Sequence, residues 1–382
     1  MWFLQIDILL RMLAGTVVLA VASGIASRFG RQSAVPKWIL LFDILILFYV
    51  SKRLLVFYAG YTLVTFGIAR FIRLVKRGRK PVFVLCCLAC AVPLLYTRST
   101  AYMSFLPKGL TMVGIAYNML KAIDAVYFSY YTDRKIPLIT YANFMLFIPA
   151  FTAGPIFRYR DFEKSMAKPE PISSALIERG VKRLIRGMFK KAVAATVAAQ
   201  VFDFLLSGAQ HWYISLALMA LSYLILYLDM AGYADMAIAL GGFMGIKVPE
   251  NFKHPLRAAS FTQFWRNWHV SLSDWIREHI FVVLNGRKLR RWQAALIGFG
   301  TMMFMSMWHG FSALLVADGL FTGSLLAIEN LCGITTVDRR KTSRAYYVFR
   351  CVLTNVIFAF NTMFYTMSAA QLLWVIRGFI TL

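Results

Sequence analysis

The side chain with the clearest chemical potential is His309, which lies in a run from residue 292 to 317 that contains no Asp, Glu, Lys or Arg. An ionisable group in an apolar run is costly and is by default a functional hypothesis. Imidazole titrates near neutral pH, so it can accept a proton during a reaction. A neutral imidazole that only hydrogen-bonds to a neighbouring helix is the structural alternative, and both interpretations are open at this point.

A second histidine, His269, lies forty residues earlier in a stretch crowded with tryptophan and charge. Apolar residues recur there at three- and four-residue spacing over residues 261–284, with polar and charged side chains between them. We therefore expect an amphipathic or re-entrant helix. Indole rings suit the headgroup boundary of a bilayer, which makes Trp265 and Trp268 candidate substrate- or carrier-binding residues.

The elements that carry these residues are expected to be membrane helices. Of the 382 residues, 59% are hydrophobic and 15% are charged, whereas about a quarter are charged in a typical soluble domain. Backbone in lipid must satisfy its own hydrogen bonds, so apolar runs without alternation indicate helices. We predict an all-α, multi-pass protein of the cell membrane with about eleven membrane helices, forming a single domain over residues 1–382. Four runs without charge are long enough to span a bilayer, at residues 136–157, 204–228, 292–317 and 351–376.

The net charge of +25 is large for this length. Because the basic clusters lie between hydrophobic runs, they indicate cytoplasmic loops rather than binding of nucleic acid. Anionic lipid headgroups or an acidic cytoplasmic partner would both suit them. The five cysteines and five histidines show no zinc-like spacing, so no metal site is expected.

Several motifs together resemble the membrane-bound O-acyltransferase superfamily, in its bacterial branch. The run Phe264-Trp265-Arg266-Asn267-Trp268-His269-Val270-Ser271-Leu272-Ser273, the following Trp275-Ile276-Arg277, and Met307-Trp308-His309-Gly310 resemble the two-histidine signature of that family. Similar segments are Gly154-Pro155-Ile156, the basic stretch 186–191, the stretch 227–236 and Pro249-Glu250-Asn251-Phe252. The resemblance covers about residues 110–330.

Two groups within that branch share these motifs. One is the DltB group, the teichoic acid D-alanyltransferases, which the segments at 154–162 and 319–330 resemble. The other is the AlgI-type O-acetylases of exopolysaccharides, which the segments at 229–236 and 249–252 resemble more. Phe157 departs from the DltB pattern, where an acid is usual. The sequence favours the DltB group and keeps the AlgI group as the alternative.

The resemblance implies an enzyme that passes an acyl group to a hydroxyl acceptor in modification of teichoic acid or another cell-envelope polymer. His309 would be the general base, and His269 would orient the acceptor or stabilise the oxyanion. No bound cofactor is expected, because the donor would be a phosphopantetheine thioester on an acidic acyl or D-alanyl carrier protein. An extracytoplasmic partner protein would act on the acceptor side.

A docking site for that carrier is expected around residues 279–291, where an apolar run meets four cations within residues 287–291. Val282 and Val283 would hold the complex, and Arg287 and Lys288 would speed its encounter. A helix end anchored at anionic headgroups is the alternative.

A function of a different class, a membrane transporter, is the remaining alternative. Asp229 and Asp235 lie six residues apart in an apolar setting and could form a proton or cation path. We favour a structural role for them, because they match the family motif and no internal symmetry typical of transporters is present.

Overall fold

The computed structural model describes residues 6–28, 34–99, 113–171, 173–281 and 290–380. Within these ranges the regular structure is helical, and the one β-bridge, Phe252 with Trp268, belongs to no strand. The predicted all-α fold is confirmed. The α-helices are α1 (Ile6–Arg28), α2 (Val35–Val50), α3 (Lys52–Leu74), α4 (Arg79–Ser99), α5 (Ile115–Thr132), α6 (Leu138–Leu146), α7 (Tyr159–Ala167), α8 (Ser174–Met188), α9 (Ala195–Leu206), α10 (Trp212–Phe243), α11 (Phe261–Asn267), α12 (Val270–Ile276), α13 (Arg291–His309), α14 (Ala313–Cys332), α15 (Arg344–Thr366) and α16 (Ala369–Ile380).

Five of the described helices are long and apolar enough to cross a membrane, namely α3, α4, α10, α14 and α15. Their outward faces are apolar, as lipid requires: Val56 on α3 and Val352 on α15 are 72% and 56% exposed. The protein is therefore a multi-pass membrane protein. The count of about eleven membrane helices stays a prediction.

The four runs without charge were expected to span the bilayer as continuous helices, and the structure corrects this expectation because a helix ends within each run. The first run leaves α-helix at Leu146, and the second, third and fourth are interrupted between α9 and α10, α13 and α14, and α15 and α16. Capping side chains restart two of the helices, because Ser312 Oγ accepts from Leu315 N at 3.2 Å and Ser368 Oγ accepts from Gln371 N at 3.3 Å. Absence of charge permits contact with lipid, whereas turn and cap residues set where a helix ends.

The chain divides into two compact units, and the first comprises Met1–Gly187 and Tyr233–Pro249. Its interior contains irregular backbone between α6 and α7, which has to find hydrogen-bond partners away from water. Side chains of α2 and α5 supply them: Asp43 Oδ1 accepts from Ile148 N at 3.2 Å, Lys121 Nζ donates to Met145 O at 3.2 Å, Asn118 Nδ2 donates to Phe151 O at 3.2 Å, and Asp124 Oδ2 accepts from Tyr159 N at 2.5 Å. All four side chains belong to buried residues, so the chain from the end of α6 to the start of α7 is held by polar groups inside the protein.

The second unit comprises Met188–Gly232 and Glu250–Leu382. Two glycines one turn apart on α14 bring that helix against α13. A Cβ at Gly319 would lie 3.1 Å from Met303 Cα, and one at Gly323 would lie 2.9 Å from Phe299 Cδ2 and 3.0 Å from Phe299 O. Small residues four apart permit such close approach of membrane helices. The glycines therefore set the spacing of the two helices that carry His309 and Asp318.

Each carboxylate of the transporter hypothesis has a cationic partner. In the first unit Arg183 Nε donates to Asp235 Oδ1 at 2.9 Å, and in the second Lys191 Nζ donates to Asp229 Oδ1. Lys191 is buried, and an unpaired buried cation would be strongly destabilising. These pairs support the structural interpretation of both acids and account for Arg183 of α8 and Lys191 of the π-helical turn Phe189–Ala194 that follows it.

Candidate active site

Both candidate histidines line one cavity of the second unit, with a volume of about 70 Å³. Its walls come from α10 to α15, and Trp265 and Trp268 also line it. Apolar side chains make up most of the surface, with a few polar groups among them, which is typical of a small-molecule site. The full lining is Leu226, Met230, Trp265, Trp268, His269, Leu272, Met302, Met305, Ser306, His309, Asp318, Thr322, Phe358, Asn361, Thr362 and Tyr365.

His309 is the last residue of α13 and is half-buried. The helix ends there because Gly310 adopts an extended conformation, so His309 lies at a helix terminus and not in the middle of a long span as the run 292–317 suggested. Tyr365 contacts the ring, with its hydroxyl 3.3 Å from His309 Nδ1. The partial negative charge at a helix C-terminus favours an imidazolium as it forms. This position suits a group that accepts a proton.

His269 joins α11 to α12 and is only 3% exposed. Its backbone is left-handed, with φ 47° and ψ 48°, a region in which histidine is tolerated better than most residues. The carbonyl of His269 accepts from Leu272 N and Ser273 N, each at 3.0 Å, which starts α12. Burial lowers the pKa of His269 to about 4, so the imidazole is neutral at physiological pH. In its described part, the helix expected over residues 261–284 is thus two short helices, α11 and α12, with His269 at the break, followed by the π-helical turn Arg277–Phe281.

Asn251, from the Pro-Glu-Asn-Phe motif, holds this break in place. Its side-chain Oδ1 accepts from Ser271 Oγ at 2.8 Å and from Ser271 N at 3.3 Å, and its carbonyl accepts from Val270 N at 2.9 Å. The two residues that follow His269 are therefore tied to a separate segment of the chain. Because the Ser271 hydroxyl donates to Asn251, it helps to hold the backbone at His269 in position.

The tryptophans pack around Phe358 of α15. Ring centroids lie 4.0 Å from Phe358 for Phe264, 5.0 Å for Trp268 and 5.9 Å for Trp265. Trp268 is only 3% exposed, so its indole is part of the protein interior and not of the surface that the sequence pattern suggested. The aromatic cluster gives the cavity a rigid wall beside His269.

Glu329 fixes the start of α11 and so the position of the whole histidine segment. Its carboxylate accepts from Phe261 N and Thr262 N at 2.7 Å each and from Thr262 Oγ1 at 2.8 Å. An acidic group at a helix N-terminus satisfies donors that have no partner within the helix. Because Glu329 belongs to α14, one helix positions both the cavity and α11.

Asp318, which directly follows the run 292–317, is a cavity residue that was not predicted from the sequence. Its Oδ2 accepts from Ser306 Oγ, and its Oδ1 accepts from Asn361 Nδ2 at 2.7 Å. All three residues are buried. Among the cavity-lining residues that the structure describes, Asp318 is the only acid. An aspartate next to the Gly319 and Gly323 pair in an apolar helix was the available signal.

The four candidate carrier-docking residues, Val282, Val283, Arg287 and Lys288, lie outside the described residues. The last described residues before them form the π-helical turn Arg277–Phe281. In that turn His279 stacks on Trp275, with ring centroids 4.2 Å apart. In the described part of the chain, no three His, Cys, Asp or Glu side chains come together in a metal-binding group.

Comparison with known proteins identifies the family. Residues 81–373 match the membrane-bound O-acyltransferase family, and the chain belongs to it. The match extends beyond the stretch of about 110–330 that the motifs covered, and it includes both histidines, the cavity and most of the described helices.

The curated relatives include both groups that the motifs resemble. The chain is 34% identical over 230 residues to a probable alginate O-acetylase AlgI of Pseudomonas fluorescens, covering 59% of this chain and 46% of the relative. It is 29% identical over 276 residues to a teichoic acid D-alanyltransferase of Streptococcus thermophilus, covering 67% and 65%. It is 32% identical over 204 residues to a peptidoglycan O-acetyltransferase of Helicobacter pylori, covering 50% and 37%. The chain thus spans less than two thirds of the length of each of these relatives.

Proposed function

We propose that this protein is a membrane O-acyltransferase that passes a short acyl group from a thioester donor to a hydroxyl acceptor in the cell envelope. The observation that carries the proposal is the meeting of His269 and His309 in one small, largely apolar cavity. Family membership supports the same reaction class.

In the proposed reaction His309 takes the proton of the acceptor hydroxyl as its oxygen attacks the thioester carbonyl. Neutral, buried His269 donates a hydrogen bond to the oxyanion of the tetrahedral intermediate or to the acceptor. Collapse of the intermediate breaks the carbon–sulfur bond, leaves an ester, and releases a thiolate that takes the proton from His309. The helix C-terminus at His309 favours its transient imidazolium.

The size of the cavity supports a short acyl group. A volume of about 70 Å³ holds only a few water-sized groups, since one needs about 10–15 Å³. An acetyl or alanyl group is of that size, whereas a long fatty acyl chain is not.

For the acyl group itself we propose D-alanyl, because Asp318 is the one acid among the described lining residues and would attract an α-ammonium group. The alternative is acetyl, which the 34% identity to an AlgI relative favours. In that case Asp318 would only organise Ser306 and Asn361. A donor series that compares D-alanyl and acetyl thioesters on purified protein separates the two.

The donor is proposed to reach the enzyme on an acidic carrier protein that bears a phosphopantetheine arm, with docking through Val282, Val283, Arg287 and Lys288. The support is the sequence pattern of an apolar run beside four cations. We also propose an extracytoplasmic partner protein that presents the polymer acceptor.

The test is His309→Ala in purified, nanodisc-embedded protein, with release of the acyl group from the thioester as the readout. Removal of a general base should lower kcat about 10²–10⁴-fold. His211→Ala is the matched control, because His211 is exposed and does not line the cavity. His269→Asn should retain more activity than His269→Ala, since the amide still offers a hydrogen bond. Near-normal turnover by folded His309→Ala protein would refute the proposal, and substrate uptake into vesicles without acyl release would favour a transporter.

A further inference from the structure

A second and larger cavity of the second unit is a groove of about 920 Å³ between α10 and α15. Both helices are candidate membrane spans, so the groove runs along the part of the protein that faces lipid. This α10/α15 groove is lined by both helices. Its described lining is Leu216, Met219, Ala220 and Tyr223 on α10, Arg344, Tyr347, Val348, Cys351, Val352, Asn355, Val356 and Ala359 on α15, and Leu256, Arg257, Arg339 and Thr342 at one end.

The charge in the α10/α15 groove is confined to that end. Arg257, Arg339 and Arg344 line it and are exposed, and their guanidinium groups form no ion pair with any acid that the structure describes. Guanidinium groups that line one end of the same cavity repel one another unless an anion lies among them. The end of the groove is therefore complementary to an anion such as a phosphodiester.

The rest of the groove is mostly apolar and has about the length of one lipid leaflet. Along its α15 wall, Tyr347 and Ala359 are twelve positions apart, about 18 Å at 1.5 Å per residue. Half of a bilayer core is about 15 Å. Val348 and Val352 are 51% and 56% exposed on this wall, and Leu216 opposite is 45% exposed. An extended acyl chain fits such a surface.

Hydrogen bonds fix the width of the groove. Tyr223 Oη donates to Asn355 Oδ1 at 3.0 Å and joins α10 to α15. Asn355 Nδ2 donates to Leu256 O at 3.1 Å, and Tyr347 Oη donates to Arg257 O at 2.7 Å, so the loop that carries Arg257 is tied to the same helix. The basic end and the apolar walls are thus held in one arrangement.

We propose that the α10/α15 groove binds one anionic phospholipid, with its phosphate among Arg257, Arg339 and Arg344 and an acyl chain along the two helices. Basic pockets between membrane helices are suited to anionic headgroups. The site is separate from the histidine cavity, since the two cavities share no lining residue among those described.

The headgroup test uses delipidated full-length protein, titrated with phosphatidylglycerol and with phosphatidylcholine of the same chains, with thermal stabilisation as the readout. Phosphatidylglycerol should stabilise more. Arg339→Gln with Arg344→Gln should weaken its apparent affinity about 25-fold, from about fivefold for each cation. The control pair is Arg340→Gln with Lys341→Gln, which removes the same charge from the loop before α15, at positions that do not line the groove. Equal losses in both pairs would show general surface attraction and overturn the proposal.

The acyl-chain test fills the groove. Val352→Trp should abolish the difference between phosphatidylglycerol and phosphatidylcholine, whereas Leu353→Trp, at an exposed neighbour that does not line the groove, should leave it intact. Glycerol phosphate without acyl chains should not stabilise the protein. Equal stabilisation by glycerol phosphate, or an unchanged lipid preference in folded Val352→Trp protein, would overturn the proposal.

Discussion

Replacement of Asp318 separates the structural role of this carboxylate from its charge. In Asp318→Ala, Ser306 Oγ and Asn361 Nδ2 lose their acceptor, and both residues are buried. An unsatisfied buried donor costs about 1–3 kcal/mol, so the two together predict a loss of about 2–6 kcal/mol of stability. In Asp318→Asn the amide oxygen can still accept from Asn361, and the amide nitrogen can donate to the Ser306 hydroxyl, which rotates to accept. The loss there should be only about 1–2 kcal/mol, the difference between charged and neutral hydrogen bonds.

Two measurements check this reasoning. Thermal unfolding in one detergent should rank wild type above Asp318→Asn and Asp318→Asn above Asp318→Ala. Turnover by Asp318→Asn should fall with a D-alanyl thioester and stay close to wild type with an acetyl thioester, because only the first carries an ammonium group. If Asp318→Ala is as stable as wild type, the hydrogen-bond accounting is wrong. If both donors lose activity equally in Asp318→Asn, the proposed recognition of the ammonium group is wrong.

Three further predictions follow from the fold, the histidine segment and the basic loop. Gly323→Ala should destabilise the protein by about 1–3 kcal/mol, because the new Cβ would clash with the Phe299 backbone. Gly300→Ala should not destabilise it, since a Cβ there would have no atom within 4 Å. Thermal unfolding of both variants tests this prediction. The pKa of His269 is about 4 in the folded protein and about 6.5 in the unfolded chain, so the unfolded chain binds more protons between these pH values. The free energy of unfolding should therefore fall as the pH drops from 6.5 to 4. It should fall less steeply in His269→Asn. Arg287→Glu with Lys288→Glu should slow association of an acidic carrier and weaken its salt dependence, and unchanged association rates at two salt concentrations would contradict the docking proposal.

The residue types of the site could be predicted from the sequence, because a histidine in an apolar run is rare and has few explanations. The tryptophan-rich segment and the Met-Trp-His-Gly segment gave both histidines, and the structure brings them to one cavity. The all-helical class followed from the long apolar runs. These inferences rest on composition and local order, which sequence displays directly.

Contacts between distant residues could not be predicted. Asn361 meets Asp318 across 43 residues, and Glu329 caps a helix that begins 68 residues before it. No local pattern marks either pair, because each depends on which helix faces are packed together. The break at His269 was missed for the same reason, since the ties from Asn251 that stabilise it come from another segment. Local periodicity favoured one helix there, and tertiary hydrogen bonds favour two.

Asp43 places a constraint on how the first unit is inserted during synthesis. Asp43, the acceptor for Ile148 N, lies in the middle of α2. Ile148 is 105 residues later in the chain, so it is synthesised after α2. A carboxylate at the centre of an isolated membrane helix costs about 2.5–3.5 kcal/mol on the insertion scale. We therefore expect α2, which is not among the five candidate membrane spans, to be a poor candidate for independent insertion and to be fixed in place only when the segment after α6 has been made. The Asp43 side chain thus makes the stable placement of α2 depend on a segment that is synthesised later. Nascent chains truncated before and after residue 148 should differ in how well α2 is retained in the membrane.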